Sequence, residues 1–264
     1  MISLYQADMS TCTQKVRFVL EQKGLPWKGI SVDLHNEENY SPEFKKINPK
    51  AIIPVLNDAG DLVFESNNIC LYLDEKYPQT PLMPDTPIAR SEVRTLLQLI
   101  DEQVHNDSSV CTYAIAFRER IRNAHDTADK LDAYLAAMPD AGRRYVKRQV
   151  IEHGTDSAEF IIAVTRLKAM LVMLENRLSK SAYLVGDQVS IADIAYSPYL
   201  TRLDHLNMDH IWSEMPAVSN WYQSLQNTVG YDKGLRDFFS DDAIANMGAA
   251  GDKFKHKISE ILAA

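Results

Sequence analysis

Apolar positions fall into two regimes along the chain. Over the first eighty residues they form short runs and alternations that predict strands, separated by helical patterns. Ile2 to Tyr5 is a first strand, and Val16, Val19 and Leu20 then recur at helical spacing. Lys23-Gly24 stops that helix, with Gly24 suited to the left-handed cap position. Trp27 to Val32 reads as a second strand, and Asp33 to Tyr40 as a polar loop. Glu43 to Ile47 is one or two helical turns closed by Asn48-Pro49, because a residue before proline avoids the helix. Ile52-Ile53-Pro54-Val55-Leu56 is predicted as a buried strand whose proline, unable to donate to a ladder, marks an edge, a start or a bend. Asn57 to Gly60 is a turn and Leu62-Val63-Phe64 the returning strand. Glu65-Ser66 opens a helix that ends at Pro78. The order is βαβ followed by ββα.

Pro78, Pro81, Pro84 and Pro87 stiffen a linker, the clearest domain boundary in the chain. The expected division is 1–78, a linker at 79–87, and 88–264. Beyond the linker only helical periodicity remains, at roughly 88–120, 126–151, 157–179, 190–206 and 211–227. A shorter helix and an amphipathic tail over 240–264 follow, with Phe254, Ile258, Ile261 and Leu262 at helical spacing. Ser190 and Asp193 form a capping box that opens its helix, with Val189 and Ile194 at the staple positions.

Composition narrows the function by exclusion. A length of 264 residues supports one large domain or two modest ones. A net charge of −8 argues against nucleic acid as the main partner. No apolar run is long enough to span a bilayer, and no basic, apolar leader is visible. Cys12, Cys70 and Cys111 are irregularly spaced, which fits neither a disulfide framework nor a metal set. A cytoplasmic location, no membrane and no metal are expected.

Candidate chemistry concentrates at Ser10-Thr11-Cys12, where the first strand hands over to a helix. Ser and Thr favour this position because a side-chain oxygen accepts an orphan N–H of the first turn. The same turn carries partial positive charge and stabilises an anion, a thiolate included. The activated sulfur is either Cys12 or that of a bound thiol cofactor. Cys12 also has a plain reading as a small buried residue. Cys70 and Cys111, on apolar helix faces, read as core, as does Tyr5 within its strand. Tyr113 with Phe117, and Tyr196 with Tyr199, are spaced to line an aromatic pocket or to pack a helical core. Arg143, Arg144, Lys147 and Arg148 form a basic run, either a solvated face or a gate for an anionic substrate.

The ordered set of βαβ–ββα half, Ser-x-Cys, Ile-Pro strand, Glu-Ser helix start, proline-rich linker and Ser-Ile-Ala-Asp helix start resembles the cytosolic glutathione S-transferases. The resemblance covers most of the chain and implies a thioredoxin-like N-terminal α/β domain followed by an all-α C-terminal domain. Ser10-Thr11-Cys12 is similar to the zeta-like Ser-x-Cys type. Met9-Ser10, Glu152-His153-Gly154 and Leu206-Asn207-Met208 resemble the tetrachlorohydroquinone reductive dehalogenases of the family. Phe44 to Pro49 and Glu65-Ser66 with Ile69-Cys70 and Tyr72-Leu73 are similar to its bacterial β-aryl etherases. Where the family often has Gly, this chain has Ala51, which bears on the local turn.

The resemblance implies glutathione as cofactor, with Ser10 donating to its sulfur and Ile53, ahead of Pro54, pairing its backbone with the cysteinyl unit. Glu65 and Ser66 would hold the γ-glutamyl group; plain helix capping is the other reading of that pair. Lowering a thiol pKa by about 2 units takes about 2.7 kcal/mol. A hydrogen bond to the charged sulfur contributes roughly 1.5–3 kcal/mol, and a helix terminus about 0.3–1. These suffice without a metal or a general base. The implied activities are thiolysis of a β-aryl ether, or reductive dehalogenation of a halogenated hydroquinone with Cys12 removing the glutathionyl group. A maleylacetoacetate-type cis–trans isomerase, a glutaredoxin-like reductase and a non-catalytic glutathione-binding scaffold are the alternatives. The family pattern implies a dimer, with itself or a paralogous subunit, and a small aromatic substrate.

Overall fold

The computed structural model describes residues 1–263 of the chain. Strand β1 (Ile2–Gln6) leads into helix α1 (Thr11–Gln22) and strand β2 (Trp27–Ser31). A short 3₁₀ turn at Glu38–Tyr40 precedes α2 (Pro42–Ile47). Strands β3 (Val55–Asp58) and β4 (Asp61–Phe64) follow, then α3 (Ser66–Lys76). The four strands form one mixed sheet in the order β2-β1-β3-β4. β1 pairs parallel with β2 and antiparallel with β3, with Leu4 opposite both Gly29 and Leu56. The β3–β4 hairpin closes on Ala59 and Gly60, both with positive φ, and Asn57 Oδ1 accepts the Gly60 N–H at 2.8 Å. The fold is thus an α/β thioredoxin-like half joined to an all-α half.

The predicted strand over 52–56 is shorter than expected at its start. The Ile53–Pro54 bond is cis, and pairing begins only at Val55. Gly24 takes the left-handed cap position, with φ +63°.

Between the two halves the chain has no regular element from Tyr77 to Thr86, yet it is firmly tied. The buried ammonium of Lys23 at the end of α1 meets Asp74 Oδ1 at 2.7 Å and donates to Thr80 O. Asp74 in turn accepts the backbone N–H groups of Leu82 and Met83. One carboxylate on α3 therefore holds α1 and the connecting segment together.

The helical half opens with α4 (Pro87–Leu99), which runs without a break into a π-helical turn at Ile100–Val104 and α5 (His105–Thr112). A second π turn at Tyr113–Phe117 and α6 (Arg118–Ala124) complete this long rod. Such turns add one residue to the helical repeat and rotate the faces beyond them. Where periodicity predicts one helix over 126–151, the structure has two, α7 (Ala128–Ala136) and α8 (Ala141–His153). Met138-Pro139 breaks them, and Asp140 caps the second by accepting the Arg143 N–H at 2.6 Å. α9 (Ala158–Leu178) and α10 (Ile191–His205) form the centre of the half.

The capping box at the start of α10 is present and carries more than a cap. Asp193 is fully buried and accepts from the N–H and hydroxyl of Ser190, the N–H of Leu184 and the indole of Trp221. The expected helix over 211–227 begins later, as α11 (Pro216–Gln226), after a 3₁₀ turn at Asp209–Trp212. Then come α12 (Val229–Gly234), α13 (Asp241–Asp252) and α14 (Lys255–Ala263).

Helix α1 is the common wall of both halves. It packs against α3 on one side and against α10 and α12 on others. Gly234 permits the closest approach, since a Cβ there would stand 2.7 Å from Phe18 N. Arg17 is buried beside it, donating to Gln6 Oε1, Asp8 O and Gly234 O, with its guanidinium 3.8 Å from the Phe238 ring centroid. Burial, opposed by Asp8, pushes the Arg17 pKa down to about 9. One continuous core runs from Ile2 and Leu4 through Val16 and Val19 to Tyr199 and Leu200. The N-terminus of α1 is thereby fixed against the helical half.

Candidate active site

Ser10 caps α1, its Oγ accepting the Thr13 N–H at 3.3 Å with the backbone extended at φ −74°. A hydroxyl that accepts in this way keeps its own proton free to donate outward. Cys12 lies in the first turn of the same helix, half-buried and unpaired. Its Sγ is 3.4 Å from Nδ1 and 3.9 Å from Nε2 of His105, the first residue of α5. The Tyr199 hydroxyl, from α10, stands 3.4 Å from the same Nδ1, and the two rings meet edge to face at 6.2 Å.

Lys15, one turn further along α1, is fully buried and donates to Ser66 Oγ at 3.3 Å and Asn67 Oδ1 at 3.1 Å. Its ammonium also lies 5.0 Å from the Tyr199 ring centroid. Asn67 is anchored by Leu97 O and Asp101 Oδ1. The thiol is therefore enclosed by α1, α3, α5 and α10.

Burial alone pushes the Cys12 thiol up. The charges of His105 and Lys15, with hydrogen bonds from His105 and Ser66, overcome this and bring it down to about 6. Cys12 is then mostly thiolate at neutral pH. Burial pushes the Cys70 thiol up to about 12 and holds that of Cys111 higher still, so neither competes. Both stand in the core. Burial, reinforced by the negative charges of Cys12 and Asp101, also holds Tyr199 well above its ordinary value, so it stays a neutral phenol.

The other predicted residues gather at the neighbouring edge of the sheet. Ile53, ahead of cis Pro54, takes no part in the β1–β3 ladder. Glu65 occupies the N-cap position of α3 at φ +66° and ψ 116°, yet its carboxylate makes no cap bond. It turns instead to Lys50, with Oε1 2.6 Å from Nζ. Side-chain capping by Glu65 is thus excluded. A non-glycine residue at this φ is strained, and such strain persists where the surroundings enforce it. Ser66 is buried with its hydroxyl engaged by Lys15, which leaves its backbone at the first turn of α3 as the group facing an anion.

Two of the five aromatic candidates are core or nearly so. Tyr196 is buried with its hydroxyl on Leu96 O, and Tyr5 packs edge to face on Phe44. Tyr199 reaches the thiol. Tyr113 and Phe117 meet edge to face at 5.4 Å on the second π turn. His105 is the candidate site residue that sequence reasoning missed. A lone histidine inside a helical run carries no local signal, and only the turn of π helix before it aims it at Cys12.

Cys12 of the thioredoxin-like half beside His105 of the helical half, with a helix N-terminus at the neighbouring sheet edge, marks a candidate thiol site on an α/β-plus-helical fold. Family models place it further. Residues 4–81 match the glutathione S-transferase N-terminal domain, and residues 116–224 match the glutathione S-transferase C-terminal domain. The chain belongs to the glutathione S-transferase superfamily, whose members use glutathione.

The chain is 28% identical to a tetrachloro-p-hydroquinone reductive dehalogenase from Sphingobium chlorophenolicum over 85% of this chain and 92% of that protein. It is 28% identical to a probable maleylacetoacetate isomerase from Caenorhabditis elegans over 86% and 90% respectively. A beta-etherase from Sphingobium sp. strain SYK-6 shares the fold, with a TM-score of 0.80 at 23% identity, over 89% of this chain and 99% of that one.

The residues present suit glutathione. Ile53 leaves its main chain outside the ladder, Glu65 and Lys50 put both charge signs at the α3 N-terminus, and Ser10 keeps a free proton beside Cys12. Among the described residues no helix is long and apolar enough to cross a membrane.

Proposed function

We propose that this protein is a glutathione-dependent enzyme of aromatic-compound breakdown that works by a reductive, glutathione-removing route through Cys12. The observation that carries the reading is the Cys12–His105 contact at 3.4 Å with the thiol brought down to about 6. Bound glutathione supplies the attacking thiol that displaces halide or aryloxide from the aromatic-derived electrophile. Ile53, Glu65 and the α3 N-terminus hold it, and Ser10 donates its free hydroxyl proton toward the thiol sulfur.

Cys12 then attacks the glutathionyl sulfur carried by the conjugate. An S–S bond forms at Cys12, the carbon–sulfur bond breaks, and the carbon takes the electron pair and a proton. His105, within contact distance of Sγ, is the group placed to shield the thiolate and deliver that proton. A second glutathione thiol frees Cys12 as oxidised glutathione, which balances the two electrons. Three unpaired cysteines suit a reducing compartment, and members of this superfamily generally work as dimers.

Ether thiolysis is the second reading, favoured by one observation. Ser10 retains a free proton while capping α1, so it serves the sulfur without Cys12. Mass spectrometry of products from the protein with glutathione and either a chlorinated hydroquinone or a β-aryl ether separates the two. Chloride release that stalls at a glutathione conjugate in Cys12→Ala supports the reductive route. A thioether and free phenol unaffected by Cys12→Ala overturn it in favour of thiolysis.

A further inference from the structure

Away from the thiol, the described residues hold a second cluster that the reaction above does not use. Its walls are aromatic: Tyr113 and Phe117 on the second π turn, Tyr134 on α7, and Tyr40, contributed by the α/β half. The charges beside Tyr113 and Phe117 are positive, while Glu37 lies on the Tyr40–Tyr134 side. Lys147 of α8 is half-buried, with its ammonium over the Tyr113 ring at 2.7 Å from the centroid. The Arg120 guanidinium lies over the Phe117 ring at 4.9 Å and contacts His35 Nδ1. Arg143, one turn before Lys147 on α8, adds its charge to both Tyr113 and Lys147.

Among the described residues, none of Lys147, Arg120 and Arg143 is paired with a carboxylate. The nearby Glu37 is committed to His125 at 3.1 Å, and Arg148 takes Asp132 and Glu152. Lys147 is half-buried while Arg120 and Arg143 are exposed, and an incoming anion relieves the cost of holding the partly desolvated ammonium without a counter-ion. Burial pushes Lys147 down to about 8, and the surrounding cations, Lys147 first, pull the Tyr113 phenol below its ordinary value. The Tyr113 shift, led by Lys147, shows a local field that favours negative charge, whereas that of Lys147 reflects its removal from water.

The cluster shares a helical rod with His105, the neighbour of Cys12. Tyr113 follows His105 by eight residues on the same rod, an axial rise of about 12 Å, and helical side chains lean back toward the N-terminus. The field of Tyr113 reaches Arg202, whose guanidinium donates to Met9 O beside Ser10.

We propose that Tyr113, Lys147, Arg120 and Arg143 bind the anionic end, carboxylate or phenolate, of an extended aromatic substrate whose other end reaches Cys12. The assignment rests on the reading of the protein as an enzyme that acts on an aromatic electrophile. It narrows the substrate class to aromatic anions of about two rings, since one ring does not span a separation on the order of 10 Å.

Isothermal titration of the protein without glutathione tests it, using 3-phenoxybenzoate against its neutral isostere 3-phenoxybenzamide. A parallel pair, 4-nitrophenolate against 4-nitroanisole, distinguishes the phenolate source from the carboxylate. The anion is expected to bind at least tenfold tighter than its neutral partner. Lys147→Gln is expected to abolish that preference, Arg143→Gln to halve it or more, and Lys147→Arg to keep it. Equal or tighter binding of both neutral partners overturns the proposal, as does an anion preference that survives both Gln variants.

Conjugation of glutathione to the neutral 1-chloro-2,4-dinitrobenzene, run on the wild-type protein, tests the glutathione reading separately. Its absence in the wild type would count against the glutathione reading while leaving the anion titration intact.

Discussion

The Sγ of Cys12 and the Nδ1 of His105 lie 3.4 Å apart across 93 positions of sequence. Cys12 belongs to the first turn of α1 and His105 to the first residue of α5. Neither residue is reactive by composition. Their contact, with Lys15 behind it, is what turns an ordinary thiol into a thiolate at neutral pH.

Alkylation by iodoacetamide reads this directly, because only the thiolate attacks. Above a thiol's pKa the rate is at its plateau, and below it falls tenfold per pH unit. With the Cys12 thiol at about 6, the rate is expected to rise through pH 6 and level off by pH 7 to 8. His105→Ala removes the leading favourable charge, so the midpoint moves upward. Mass spectrometry of peptides carrying Cys12, Cys70 and Cys111 checks it, with label confined to Cys12 in the native protein. An unmoved midpoint in His105→Ala would show that His105 does not set the thiol.

Asp74 is expected to be a large single contributor to stability. Its removal leaves the Lys23 ammonium buried without its partner and two backbone N–H groups of the connecting segment unsatisfied. Breaking a buried pair by deleting one member costs about 3–5 kcal/mol. Urea unfolding of Asp74→Ala measures it, and a loss under about 1 kcal/mol would contradict the role.

Ala51 sits at φ +55°, buried, with Asn39 Nδ2 donating to its carbonyl at 2.9 Å. An L-residue with a Cβ is penalised there by roughly 1–2 kcal/mol, and glycine is not, although it gives back about 0.4–1 kcal/mol through the unfolded chain. Ala51→Gly should therefore leave the protein unchanged or raise its stability by up to about 1.6 kcal/mol. A fall in the thermal midpoint on differential scanning calorimetry refutes this. The turn itself forms with Ala, held by the Asn39 bond.

The C-terminal segment docks through α13 on the end of α10 and through α14 on α9. A Cβ at Gly251 would stand 1.7 Å from Leu206 O, so α13 meets the end of α10 backbone to backbone. Asn207 adds bonds to Gly248 O and Asp252 Oδ1, and α13 also packs against the Tyr113–Phe117 turn. Gly251→Ala is expected to detach α13 and to expose 241–263 to limited proteolysis. Because α13 backs the Tyr113–Phe117 turn, the same variant is expected to raise KM for an aromatic substrate more than it lowers kcat. Resistance to protease equal to the parent protein would refute the detachment.

What the sequence determined by itself is everything set by residues a turn or two apart. Ser10 caps α1 because its hydroxyl reaches the N–H three residues on. Gly24 ends that helix because it alone tolerates a left-handed φ cheaply, and Ser190 with Asp193 opens α10. These local rules, in order, also sufficed for the α/β-then-helical architecture and for the Ser-x-Cys element.

The misplaced boundaries have local causes that periodicity overlooks. Pro139 splits the helix expected over 126–151, Pro216 delays the one expected from 211, and the turn around Pro54 shortens β3.

Only the tertiary structure decided the chemistry. A π turn rotates His105 onto Cys12, α1 wedged between the halves buries Lys15 against Ser66, and Tyr40 joins Tyr113 from the opposite half. Charges that lie far apart in sequence act on one sulfur only after packing brings them within a few ångströms and removes the water that would screen them.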